Sequence, residues 1–108
     1  MGPRGSPVYV ATKGAAVQLA RALALDWAPE GIRVNALCPG LVDTPMLRSF
    51  ADAQPDPAEA HRRLELEQPL GRLARPDECA QAVVFLASPA ASFISGAALP
   101  LDGAFTAQ

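Results

Sequence analysis

Tyr9 and Lys13 are the two residues in the chain whose types and spacing point most directly to chemistry. Four positions apart in a helical pattern, their side chains leave the same face and can meet. A phenol titrates at about pH 10, and an adjacent ammonium favours its ionised form, so such a pair could exchange a proton with a carbonyl or an alcohol as a general acid and base. The plainer reading is a boundary aromatic beside a solvated cation. Pro39 and Gly40 form a second centre of interest because they stop a branched apolar run. In isolation they read as a strand-ending turn. His61 stands alone in a charged segment and reads as a solvated surface histidine rather than a ligand. Cys38 and Cys79 are too far apart for a Cys-x-x-Cys motif and read as buried free thiols, so no metal site is expected.

The elements that must position these residues follow from pattern. Ala11, Ala15, Leu19, Leu23 and Trp27 recur every fourth residue, with Ala16, Ala20 and Ala24 beside them. This predicts a helix from Val8 to about Ala28, ended by Pro29 and Gly31, whose wide small-residue face would pack on a sheet and against a second helix. Ile32 to Cys38 alternates and predicts a strand stopped by Pro39-Gly40. From Leu41 to about Asp56 a loop or short helix is expected, and Pro57 to Gln68 reads as a charged, exposed helix. Pro76, Asp77 and Glu78 suit a helix first turn, and Cys79 to Ala87 supplies its apolar run. Ala97 to Leu101 reads as a short last strand, weakened by Pro100, which has no ladder donor.

Composition bounds the rest. With 108 residues there is room for one core. Nine Lys and Arg against eleven Asp and Glu give a net charge of -2, so no basic field argues for nucleic acid as a partner. Half the residues are apolar, which is rich for so short a chain and hints at a surface that meets something else. The N-terminal Met-Gly-Pro-Arg-Gly-Ser-Pro lacks a signal-peptide run, Gly2 with Ser6 makes no credible lipid anchor beside Pro3, and no apolar stretch spans a bilayer. A soluble, cytoplasmic protein without a membrane partner is expected.

Order lifts these separate features above coincidence. Tyr9-Val10-Ala11-Thr12-Lys13-Gly14-Ala15, Gly31-Ile32-Arg33-Val34-Asn35, Pro39-Gly40-Leu41-Val42-Asp43-Thr44-Pro45, Gly71-Arg72 with Pro76, Ser95-Gly96 and Leu101-Asp102-Gly103 occur in register. Together they resemble the short-chain dehydrogenase/reductase family from its YxxxK active-site helix to its C-terminus. The resemblance implies an α/β fold, the C-terminal part of a Rossmann-like doubly wound parallel sheet with its N-terminal half missing, so that residues 1–108 form a partial family domain. It implies an NAD(P)-dependent oxidoreductase interconverting an alcohol and a ketone, with NAD or NADP as cofactor and the choice between them open. Tyr9 would transfer the proton, and Lys13 would favour the phenolate and hydrogen-bond the nicotinamide ribose. Pro39 and Gly40 would turn beneath the nicotinamide, Val42 would bind its carboxamide through the backbone, and Thr44 would contact the amide or diphosphate. Met46, Leu47 and Phe50 would form a lid over an apolar substrate, although they could equally pack the loop on its own helix.

The family's glycine-rich turn and upstream asparagine are not in the sequence, and neither is the serine about a dozen residues before the tyrosine. Eight residues precede Tyr9, which leaves Ser6 too close to serve. Ala104 stands where a second glycine is usual. Two functional expectations result. One is an enzyme portion inactive as an isolated fragment, and the other is a non-catalytic truncated association module pairing through the first helix and the last strand. In either case a homo-oligomer, dimer or tetramer, is implied, self-associating through exposed apolar faces.

Overall fold

The computed structural model describes residues 7–107; positions 1–6, which were read for a leader, a lipid anchor and Ser6, lie outside the described residues, as does Gln108. Among the described residues four helices and two strands follow one another: α1 (Pro7–Trp27), β1 (Ala36–Pro39), α2 (Pro45–Asp52), α3 (Pro57–Leu66), α4 (Pro76–Ala87) and β2 (Ala98–Leu101). Each helix begins on a proline, whose fixed φ suits the first helical position and whose missing N–H costs nothing there. Short 3₁₀ turns follow α1 at Ala28–Glu30 and α4 at Pro89–Ala91. Gly31 terminates the first of them at φ 74°, donating its N–H to Ala28 O at 3.0 Å.

The sheet is the pair β1-β2. Gly40 N–H donates to Leu101 O and Ala36 N–H to Ala97 O, so both strands ascend together and the pairing is parallel. Alternation then turns Pro39 on β1 and Pro100 on β2 away from the shared ladder, which is why two prolines are tolerated in so small a sheet. An α/β fold with a parallel two-stranded sheet is therefore observed.

The first strand starts at Ala36, not at Ile32 as expected. Between residues 33 and 35 a single backbone bond, Gly96 N–H to Val34 O at 2.7 Å, is joined by side-chain bonds. Asn35 Nδ2 donates to Ile94 O at 2.9 Å, while its Oδ1 accepts from Ala97 N–H at 3.0 Å. Arg33 donates to Ile94 O and to Ser88 O, and Val34 N–H donates to Ser95 Oγ. Neither cysteine is in a disulfide, both are half-buried rather than fully buried, and burial pushes the Cys79 thiol up, away from thiolate chemistry.

Two compact units divide the chain. One holds the described residues up to Ala36 together with Leu86–Leu99, and the other holds Leu37–Phe85 and the described residues from Pro100. In the first unit, α1 buries Ala20 and Ala24 but leaves Leu19 and Leu25 exposed, so the wide packed face expected of this helix is only partly covered. Ala91 is fully buried in the same unit. In the second unit α2 packs on α3, with Ala51 fully buried. Among the described residues no large side chain is completely buried.

Candidate functional site

The chemistry-bearing residues are divided between the two units, and each set is built locally. In the first unit Tyr9 and Lys13 lie in the opening turns of α1. Lys13 Nζ sits 5.4 Å from the centre of the Tyr9 ring, so the helical spacing does bring them together, as a cation over an aromatic face. Tyr9 is 54% exposed. Thr12, between them, donates its hydroxyl to Tyr9 O at 2.8 Å, so it is occupied by the backbone. A Cβ placed on Gly14, one residue beyond Lys13, would meet nothing within 4 Å, leaving this side of the helix open.

In the second unit Pro39 ends β1 and Gly40 follows it. A Cβ on Gly40 would lie 2.5 Å from Gln68 Oε1 and 2.9 Å from Asp102 Cα. The second contact is with backbone and cannot swing aside, so glycine is required here by close approach and not merely by the turn. Val42 forms an isolated parallel bridge with Ala74: Asp43 N–H donates to Ala74 O at 2.9 Å, and Ala74 N–H donates to Leu41 O at 3.0 Å. Because neighbouring residues supply those bonds, strand alternation directs Val42's own N–H and C=O away from Ala74. Thr44 caps α2, its Oγ1 accepting from Leu47 N–H at 3.3 Å.

The segment read as a lid is α2. Met46 is 82% and Phe50 59% exposed, whereas Leu47 is half-buried. Its start is held by Asp43, which accepts from Arg48 Nε at 2.6 Å and Nη2 at 2.7 Å; the Arg48 guanidinium holds that carboxyl below the usual range. Its end is tied to α3, where His61 Nε2 lies 2.9 Å from Asp52 Oδ1. His61, read as a solvated residue, thus has a side-chain partner.

Sequence reading missed four participants. Asp43 with Arg48 fixes the residue after Val42, and Gln68 and Asp102 press on Gly40. Asp102 was within reach of inference, because it adjoins Gly103 in the last motif. Gln68 carried no local signal, being the final residue of an otherwise charged segment. Among the described residues no group of His, Cys, Asp and Glu could hold a metal ion, and no helix is long and apolar enough to cross a membrane.

Comparison with known proteins places this arrangement. A family profile described as enoyl-(acyl carrier protein) reductase matches residues 1–106. The chain is 45% identical over 107 residues to cis-4-hydroxycyclohexanecarboxylate dehydrogenase of Sinomonas cyclohexanicum, covering 99% of this chain and 41% of that protein. Against meso-2,3-butanediol dehydrogenase of Serratia marcescens the identity is 44% over 107 residues, covering 99% and 40%. The chain thus spans about two-fifths of the length of these curated relatives. A solved short chain dehydrogenase family protein from Francisella tularensis superposes with a TM-score of 0.93 at 40% identity, over 100% of this chain and 47% of that one. With the ordered motifs, the parallel strand pair and near-complete coverage by the profile all agreeing, the chain belongs to the short-chain dehydrogenase/reductase family.

Proposed function

We propose that this chain supplies the proton-transfer pair and part of the nicotinamide-binding backbone of an NAD(P)-dependent oxidoreductase that interconverts a secondary alcohol and a ketone. The observation that carries this reading is the Lys13 ammonium standing 5.4 Å from the Tyr9 ring, at the start of an exposed helix. With Lys13 beside its ring, the Tyr9 hydroxyl can give a proton to a forming alkoxide or take one from an alcohol. Partial exposure leaves that hydroxyl accessible to a substrate.

The residues of the second unit suit a flat amide-bearing ring. Gly40 offers backbone with no side chain, and the outward N–H and C=O of Val42 match one acceptor and one donor of a carboxamide. A bound nicotinamide would supply the hydride, which no side chain of the chain can. Pro39, Gly40 and Val42 would hold and orient it, Lys13 would also reach its ribose, and Thr44 would combine capping α2 with a contact to the amide or diphosphate. Met46, Leu47 and Phe50 would cover an apolar substrate and exclude water. NAD and NADP are equally compatible with these residues. In this reading residues 1–108 are part of one family domain.

A chimera tests the proposal, with this chain replacing the matching stretch of the Serratia marcescens enzyme and oxidation of meso-2,3-butanediol followed by NADH formation. Tyr9→Phe should lower kcat/KM by about 10²–10⁴-fold. An active chimera indifferent to Tyr9→Phe would sink the catalytic assignment.

The exposed Leu19, Leu25, Val83 and Val84 favour a second reading, an association module pairing through apolar faces. Co-purification of the chain with a full-length relative is then expected, and failure to co-purify would argue against it.

A further inference from the structure

Gln68 is the one buried polar residue among the described residues, at 4% exposure, and neither the capping of a helix nor a surface ion pair accounts for it. Its side chain occupies the volume beside two glycines. Gln68 Oε1 lies 2.5 Å from where a Gly40 Cβ would be, and its own Cβ and Oε1 lie 3.5 Å and 3.7 Å from where a Gly103 Cβ would be. Its backbone is fixed independently, because Gly71 N–H donates to Gln68 O at 2.7 Å and Gln68 N–H donates to Glu65 O at 3.1 Å. Leu70 N–H donates to Gly103 O at 3.3 Å, joining the same segment to the corner after β2. Residue 68 therefore projects from a tethered backbone into the gap shared by the Pro39-Gly40 turn and the Asp102-Gly103 corner.

We infer that Gln68 is a positioning residue for the dinucleotide: its side chain is the spacer that sets how far the Pro39-Gly40 turn stands from the Asp102-Gly103 corner. This rests on the reading of Pro39 and Gly40 as nicotinamide-binding backbone. Gly40 N–H is held by Leu101 O from one direction, and Gln68 limits its approach from another. A turn held from two sides presents the same backbone to every incoming ligand. Shortening residue 68 lets the turn settle toward the corner, and a binding surface displaced by a fraction of an ångström loses affinity for a rigid ring. Volume is the operative property, since the close approaches to Gly40 and Gly103 are contacts of packing.

The test uses the chimera with Gln68→Ala, Gln68→Asn and Gln68→Met, and reads the equilibrium Kd for NADH and for NADPH by calorimetry, with no substrate present. Gln68→Ala should weaken binding of the preferred dinucleotide by about tenfold. Gln68→Asn should give a smaller loss, and Gln68→Met, which keeps the length without the amide, should stay within about twofold of the parent. If Gln68→Ala does not fold, the Asn and Met variants carry the comparison. Unchanged Kd in Ala or Asn, or a Met variant as weak as Ala, overturns the spacer role. Dinucleotide binding that also ignores Gly40→Val would show instead that the turn itself does not touch the cofactor, a failure of the underlying reading distinguishable from failure of Gln68.

Discussion

At single residues the chain shows where backbone conformation and sequence disagree. Ala104 has φ 70°, the sole non-glycine residue in the left-handed region among those described, directly after Gly103 at φ 59°. A Cβ there crowds the backbone by roughly 1–2 kcal/mol, partly offset because alanine loses less chain entropy than glycine on folding. Ala104→Gly should therefore stabilise the chain by about 0.5–1 kcal/mol, read as a higher urea midpoint at unchanged slope. A lower midpoint would mean that the alanine methyl gains more from packing than its conformation costs. Asp102 keeps the corner in shape, its Oδ2 accepting from Thr106 Oγ1 at 2.6 Å and Thr106 N–H at 3.1 Å, and these donors hold its carboxyl below the ordinary range. The need for glycine at position 40, by contrast, was only half legible. Pro39-Gly40 announces a turn, but the reason for glycine comes from Gln68 and Asp102, far along the chain.

Among the elements, those with local causes were readable and those with distant causes were not. Proline at the first position marks all four helices, and Pro57 and Pro76 were legible as starts because charged or apolar runs follow them. α2 was blurred, since its eight residues offer too little periodicity to separate a short helix from a loop. The start of β1 was misread because Asn35 leaves the ladder to bond backbone at Ile94 and Ala97, a contact invisible to local alternation. α2 and α3 are capped by Thr44 and Asp56, while at the start of α4 a side chain reaches back to the preceding backbone. Glu78, its third residue, accepts from Arg75 N–H at 2.7 Å and pairs with Arg72 at 2.8 and 2.9 Å. The Arg72 guanidinium, then the Arg75 amide, hold the Glu78 carboxyl at about 2, below its ordinary value. A depressed folded-state pKa means that the unfolded chain binds the proton first, so the stabilisation is present above about pH 4.5 and is lost as pH falls toward 2. The difference in urea midpoint between the parent and Glu78→Gln should accordingly be largest near neutrality and shrink through that window. A difference independent of pH would mean that Glu78 acts without its charge.

The whole chain is governed by how little large apolar area it encloses. Among the described residues the most buried apolar ones are alanines, Ala20, Ala24, Ala51 and Ala91, and each contributes only a fraction of what a buried Leu or Phe would. Meanwhile Leu19, Leu25, Val84 and Phe93 stand exposed, and the net charge of -2 is too small to keep copies apart. Self-association is the expected result, driven by apolar contact rather than by ion pairs. Two dependences separate these causes. Association should strengthen in sulfate, which favours apolar burial, and should increase as pH falls toward the isoelectric point near 5.2, where mutual repulsion vanishes. Sedimentation equilibrium at micromolar concentration should thus report species heavier than the 11.2 kDa chain, and Leu25→Glu with Val84→Glu, which remove apolar surface and add to the negative charge, should shift the distribution toward that mass. A monodisperse, cooperatively unfolding 11.2 kDa monomer, unaffected by sulfate or by those two glutamates, would show that these side chains do not drive copies together.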